Sequence, residues 1–164
     1  LFRSSAASDV YKRQMVYSMA FGNGGTSVDP TGIITYLSPN STGTNASLYN
    51  QTYTKVIDDN SINNTDPTRN KIETRHVSGT NYTDIIATCL LDYGEPSGQD
   101  ALDNATGSDS LYVFDELGLV SYATSGTGRL LTHVIFHPVQ KSLNRLIQID
   151  YTVRVQSLTG FNEA

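Results

Sequence analysis

Within the segment 145–156, hydrophobic and polar residues alternate strictly from position 147 onward. The apolar positions are Ile147, Ile149, Tyr151, Val153 and Val155. A period of two places alternate side chains on opposite faces of a β-strand. The pattern therefore predicts a long strand of an antiparallel sheet with one buried and one solvated face. Ile149 and Val153 are predicted to be core residues of this strand, with Thr152 facing the other way.

Six further segments have the composition of strands, because they are rich in β-branched and aromatic residues and are bounded by Gly, Pro, Asn or Ser. They are 32–36, 48–57, 71–77, 82–91, 110–119 and 129–136. The last is apolar on both faces, which predicts a central strand, and Pro138 is expected to end it. About seven short strands with long polar loops predict a mainly β fold, either an antiparallel β-sandwich or a partly open barrel. Only residues 97–105 suggest a short helical turn.

The composition of the chain mainly excludes certain classes of protein and certain kinds of site. The chain has 164 residues, of which 38% are hydrophobic, and this size suits one domain. No apolar run approaches the ~20 residues that a membrane helix needs, and a formal net charge of −5 disfavours a nucleic-acid backbone. We therefore expect no membrane and no nucleic-acid partner. The single cysteine, Cys89, excludes an intramolecular disulfide and a cysteine-based zinc site.

The first 14 residues, LFRSSAASDVYKRQ, differ in character from the rest, with three basic residues against one acid. They contain too few apolar residues for the core of a signal peptide. The string resembles sequencing adaptor translated at the ends of proteins from metagenomic assemblies. We therefore expect residues 1–14 to be a non-native, disordered leader without a core role. Residues 15–164 are expected to form a single β domain. If residues 1–14 are adaptor, the natural protein can extend further upstream of this domain.

The titratable residues suggest no catalytic, cofactor-binding or metal site. His133 and His137 are four positions apart, a spacing that could bind zinc on a helix. The run HVIFHP favours a strand, on which the two residues lie ~13 Å apart, so no metal is expected. Cys89 lies in an apolar strand and is expected to be a buried, inert thiol. Neither a G-x-S-x-G elbow nor a phosphate-binding loop motif occurs, and the chain is not expected to be an enzyme.

Asp115 and Glu116 are the most conspicuous carboxylates, since they interrupt an apolar segment. As neighbours on a strand they are expected to face opposite sides, which excludes a catalytic pair made by these two alone. One of them is expected to face a polar interface or to pair with Arg129 or Arg145.

Three pieces of sequence occur in a fixed order along the chain. The first is a glycine-rich opening, followed by Pro30 and the strand LYNQTY; its glycines are Gly22, Gly24 and Gly25. The second is FDELGL, and its motif positions are Phe114, Glu116, Leu117, Gly118 and Leu119. The third is HVIFHP, with Phe136 and Pro138, followed by the turn VQKSLN and the last alternating strand. In this order and spacing the pieces resemble the small structural domains of tailed-bacteriophage tail-fibre and tail-collar proteins.

Physical chemistry suggests a structural role for the FDELGL piece. Phe114 and Glu116 are expected on one face of the strand, and Leu117 and Leu119 on the other. Gly118 permits a bulge or the close approach of a neighbouring strand. Glu116 is expected to accept hydrogen bonds from backbone donors at the Gly118 turn or to pair with a basic residue. The following segment, 121–136, is expected to be a hairpin.

The resemblance implies a structural component of a phage tail, located in the virion as part of the fibre, collar, baseplate or neck. Such a component would self-associate as a trimer or hexamer and dock onto other phage tail proteins, without a cofactor. The residues leave two alternatives open. One is a carbohydrate-binding or adhesin-like module for a host surface glycan, whose stacking platform would be Tyr36, Tyr49, Tyr53 and Tyr82. The other is a glycan-degrading enzyme whose carboxylates are brought together by the fold.

Overall fold

The computed structural model describes residues 16–40, 46–97, 112–124 and 128–157. These residues form strands and loops, and none of them is helical, so no helix in the described part of the chain could cross a membrane. The strands are β1 (Ser18–Gly22), β2 (Thr26–Val28), β3 (Ile34–Tyr36), β4 (Gln51–Val56), β5 (Lys71–His76), β6 (Tyr82–Leu91), β7 (Val113–Val120), β8 (Val134–Gln140) and β9 (Ile147–Gln156). The prediction of a mainly β fold is confirmed.

The strands form two larger sheets and a small ribbon, all with antiparallel pairing. The first sheet has the order β4-β1-β7-β8, the second has the order β5-β6-β9, and β2 pairs with β3. One apolar cluster joins the two larger sheets, giving a sandwich-like arrangement. The first sheet contributes Met19, Phe21, Phe114, Leu117 and Leu119, and the second contributes Ile72, Ile85, Ala87, Cys89 and Leu91.

The seven predicted strands correspond to β3 through β9, whereas β1 and β2 were not predicted. β1 is the main omission, because it lies between β4 and β7 in the first sheet and all five of its residues are buried. A strand buried on both faces shows no polar alternation, which removes the pattern on which sequence-based detection depends.

The expectation that the strand before Pro138 is central was wrong, and so was the expectation that Pro138 ends it. β8 lies at the edge of the first sheet and continues through Pro138. Between the pairs Phe114–Val139 and Glu116–Ile135, three residues of β8 lie opposite one residue of β7. Proline cannot donate to a β-ladder, and an edge strand at such an irregularity does not need that donor.

The alternation predicted for the last strand is confirmed. Ile147, Ile149, Tyr151 and Val153 pack against the core, and the residues between them are exposed. These apolar side chains are half-buried rather than fully buried, because β9 is an edge strand paired with β6. The leader at 1–14 and nearly all of the suggested helical turn at 97–105 lie outside the described residues.

Candidate functional site: the buried carboxylates of FDELGL

The two carboxylates of FDELGL form the most polar buried cluster of the first sheet. Asp115 and Glu116 lie on β7, and both have 0% relative exposure. Backbone amides reach them from the turn after β1 and from the residues that precede β4. We call this arrangement the carboxylate junction: Asp115, Glu116, His133, residues 24–26 and residues 49–50.

Glu116 accepts four hydrogen bonds, two at each carboxylate oxygen. The backbone N–H groups of Gly24 and Asn50 donate to Oε1 at 3.2 and 2.8 Å. The backbone N–H of Tyr49 and Nε2 of His133 donate to Oε2 at 2.9 and 2.8 Å. Burying a carboxylate is expensive unless donors surround it, and here they do so on both oxygens.

Asp115 is held in the same way by the next two residues of the turn after β1. The N–H of Gly25 donates to Oδ1 at 2.9 Å. The N–H and the hydroxyl of Thr26 both donate to Oδ2, at 3.0 and 2.6 Å. Of the two alternatives expected for these acids, the polar interface is confirmed and the pairing with Arg129 or Arg145 is not, since the described donors to Asp115 are backbone amides and a hydroxyl.

The expectation that Asp115 and Glu116 face opposite sides was also wrong, because both carboxylates contact residues 24–26. The core side chains of β7 show the same departure from alternation. Phe114 lies in the core together with Leu117 and Leu119, although a regular strand would put it on the other face. The change of phase occurs at the point of β7 where the pairing with β8 is irregular, between Phe114 and Glu116.

Three motif glycines are required by close approach of the backbone. A Cβ atom on Gly24 would lie 2.8 Å from the backbone nitrogen of Asn50. A Cβ atom on Gly22 would overlap the carbonyl oxygen of Asn50 and would lie 2.5 Å from Oε1 of Glu116. A Cβ atom on Gly118 would overlap the carbonyl oxygen of Thr132. The close approach predicted at Gly118 is thus confirmed. The hydrogen bonds of Glu116, however, are made at the turn after β1 and at the start of β4, not at the Gly118 turn.

His133 completes the junction, and both of its ring nitrogens are used. The N–H of Asn40 donates to Nδ1 at 2.8 Å, so Nδ1 carries no proton and Nε2 donates to Glu116. His137 has a different contact, with Nδ1 lying 3.2 Å from the hydroxyl of Tyr36. Within the described ranges, no three of the His, Cys, Asp and Glu side chains are grouped so that they could hold a metal ion.

The junction can hold segments together. Seven donors occupy the four carboxylate oxygens, and they tie β7 to the entry of β2, to the entry of β4 and to His133. The sequence indicated that Glu116 would accept backbone donors, and this is confirmed. It did not indicate Asn50, Tyr49 or His133 as partners. Backbone donors have no residue-type signature, so the only available signal was a pair of acids inside an apolar strand.

The remaining chemical candidate, Cys89, is buried in the core as expected. Burial raises the pKa of its thiol to about 12, and the nearby Lys55 ammonium only partly opposes that effect. A thiol with so high a pKa is protonated near neutral pH and is a poor nucleophile.

Phe136, the aromatic residue of the third motif piece, lines an apolar groove where the two sheets meet at one side. We call it the β8–β9 groove. It has a volume of about 340 Å³, and its apolar lining is Phe21, Phe114, Leu117, Phe136, Val139, Ile147 and Ile149. Gln148 and Asp150 of β9 complete its lining. The groove lies between the two edge strands β8 and β9.

The four tyrosines suggested for a sugar platform have different surroundings. Tyr36 and Tyr49 are 51% and 43% exposed. Tyr53 packs against the core, and its hydroxyl donates to Glu95 at 3.4 Å. Tyr82 lies in the second sheet, beneath the guanidinium of Arg154. Comparison of the chain with protein-family models, with curated proteins and with solved structures finds no match.

Proposed function

We propose that the chain is a structural component of a bacteriophage tail, belonging to the fibre, collar, baseplate or neck. It acts by self-association and by docking onto neighbouring virion proteins. The observation that supports this function is the carboxylate junction. The residues that carry the resemblance to tail proteins are used internally, to fix loops onto the sheet.

A part that works by assembly needs a rigid shape rather than a reactive group. Glu116 and Asp115 supply that rigidity, since Asp115 holds a buried backbone amide and Glu116 holds part-buried ones. Neither acid is available as a general acid or base while its oxygens are occupied. No catalytic group and no cofactor are needed for the proposed function.

The proposed function is tested by locating the protein in particles. Antibodies raised against the purified chain are applied to virions of a phage that carries the parental gene, with gold labelling and electron microscopy as the readout. We expect label on the tail, and we expect excess purified chain to block it. Protein that is abundant in the lysate but absent from purified particles would refute the proposal.

Carbohydrate binding is the second candidate, and the exposure of Tyr36 and Tyr49 favours it. Sugars stack on exposed aromatic rings, and about half of each of these two side chains is exposed. A glycan array with the wild-type chain and with Tyr36→Ala or Tyr49→Ala tests this function. The matched control is Tyr122→Ala, which removes a ring of similar exposure that packs edge-on against Tyr17. Glycan binding that survives both test variants would exclude a tyrosine platform at this place.

A further inference from the structure

The ten-residue strand β9 forms an edge of the second sheet and lacks the features that normally prevent an edge from pairing. In the described part of the chain it pairs only with β6, over ten positions without a register shift. Edges are usually protected by proline, bulges or closely spaced charges. β8 has Pro138 and an irregularity, and β5 has Lys71, Glu73 and Arg75. β9 has one carboxylate, one guanidinium and no proline, so its outer edge can accept another strand.

We infer that β9 is an interaction surface for a second copy of this chain, whose own β9 pairs with it antiparallel about a two-fold axis at Thr152. In this register Asp150 lies opposite Arg154 of the second copy, and symmetry makes the pair twice. Tyr151 lies opposite Val153, and Ile149 lies opposite Val155. Opposite charges and aromatic or β-branched neighbours are the cross-strand pairs that stabilise antiparallel sheets.

The charges along β9 select this register among the two-fold alternatives. An axis at Asp150 or at Arg154 would place like charges directly opposite each other, which destabilises a sheet. An axis at Tyr151 or at Val153 would place both charged residues opposite neutral ones. Only the axis at Thr152 pairs the carboxylate with the guanidinium.

Arg154 and Asp150 can both form this ion pair with the second copy. Arg154 donates to both carboxylate oxygens of Asp84, at 2.8 and 3.1 Å, and its guanidinium lies 3.9 Å from the centre of the Tyr82 ring. This anchoring leaves further N–H donors for a second carboxylate. Asp150 accepts long bonds of 3.4 and 3.5 Å from Gln148, and it forms no ion pair within the described residues.

The β8–β9 groove gives a second reason for a partner at this edge. Ile149 of β9 lines the groove, and Val155 is 50% exposed although it belongs to the inward-facing row of the strand. In the proposed register Val155 of the second copy lies opposite Ile149, beside the groove. The added strand therefore removes apolar surface of both copies from water.

This inference rests on the self-association part of the proposed function and makes it specific. A contact with two-fold symmetry is isologous, so it gives a dimer, or a hexamer of three dimers when another interface is present. It does not by itself give a three-fold ring. The second sheets of two copies become one continuous six-stranded sheet.

Disulfide trapping of the full chain tests the register. At the two-fold axis the residue Thr152 faces itself, with Cβ atoms ~4.5–5.5 Å apart, close to the ~3.5–4.5 Å of a disulfide. We expect Thr152→Cys to form a covalent dimer under mild oxidation. The matched control Gln148→Cys faces Gln156 and not itself, so it should remain uncrosslinked until Gln156→Cys is added. The native Cys89 is buried and does not compete. Equal crosslinking of Thr152→Cys and Gln148→Cys would overturn the register.

Light scattering during size exclusion tests the interface itself. We expect the wild-type mass to approach at least twice the 17.9 kDa of the chain as concentration rises. Asp150→Arg, which places two guanidinium groups opposite each other, should shift dissociation to higher concentration by tenfold or more. Glu73→Arg makes the same charge change on the β5 edge and should have no effect. A wild-type chain that stays monomeric, or equal effects of the two variants, would overturn the inference.

The outcome can be separated from that of the proposed function. A monomeric chain that is nevertheless found in phage tails refutes the β9 pairing and leaves the tail function standing. A β9-paired dimer that is absent from virions refutes the tail function and leaves the β9 pairing standing.

Discussion

Glu116→Gln is the most informative single change, because it keeps the shape of the side chain and removes its charge. The amide group replaces one of two oxygens, each of which accepts two hydrogen bonds. If the NH₂ group stands at the Oε1 position, the N–H groups of Gly24 and Asn50 lose their acceptor. If it stands at the Oε2 position, Tyr49 and His133 lose theirs. Either orientation leaves two donors of the junction facing the N–H groups of the new amide.

The expected loss follows from that count. A buried donor without an acceptor costs ~1–3 kcal/mol. Because the amides that face Glu116 are only part-buried, we expect the free energy of unfolding to fall by ~1–3 kcal/mol in total. His133 cannot compensate by changing its tautomer, because a proton on Nδ1 would face the N–H of Asn40. Assembly should suffer only as far as folding does.

Equilibrium unfolding in urea, followed by circular dichroism, measures the effect. The control is Glu73→Gln, the same chemical change at a carboxylate that is 51% exposed and lies 3.1 Å from Lys71. It should change stability by less than ~1 kcal/mol, as is usual for surface ion pairs. If Glu116→Gln is as stable as the control, the junction does not stabilise the fold. If it is also fully assembled but loses a glycan-releasing activity, Glu116 is a catalytic acid.

Three further changes test other parts of the structure. Gly118→Ala should lower stability by ~1–3 kcal/mol through overpacking, whereas Gly94→Ala, with open space around it, should have little effect in the same urea titration. Ile149→Ala should lose ~1–2 kcal/mol, below the ~2–5 of a fully buried site, and Thr152→Ser on the solvated face should lose less than ~0.5; equal losses would contradict the register. Burial raises the pKa of Cys89 from 9.0 to about 12, so the folded state holds this proton more tightly than the unfolded state. The resulting stability is present below pH ~9 and is lost as pH rises toward 12. Cys89→Ala should lack that part of the alkaline decline, and a thiol that reacts with Ellman's reagent in the folded chain at pH ~8 would contradict the assignment.

Strands with one solvated face could be predicted from the sequence, because their burial leaves a visible period. β9 shows this most clearly, since its apolar residues from Ile147 to Val153 pack on the core side as the alternation requires. β1 could not be predicted in this way. It is buried on both faces, and the glycines that follow it indicate a turn rather than a strand.

The candidate site was predictable in role but not in geometry. An acid within the apolar run VFDELGLV implies buried donors, which correctly indicated the role of Glu116. Its donors are backbone amides of residues distant in sequence, and amides carry no residue-type signal. The orientation of Asp115 could not be predicted either, since Asp115 lies where the pairing of β7 with β8 is irregular and regular alternation does not apply. That irregularity is a property of pairing between strands and not of either strand alone.

The carboxylate junction also constrains the order in which the chain can fold. Glu116 is 92 positions from Gly24 and 66 from Asn50, and Asp115 is 90 from Gly25. A collapsed chain that buried β7 early would enclose two charges without donors, so such compact states are raised in free energy relative to the native one. The entropy lost in closing these long loops is not offset until the contacts have formed. We therefore expect refolding to be slow and cooperative. During synthesis the order is favourable, because the amides of residues 24–26 and 49–50 leave the ribosome well before the carboxylates that need them.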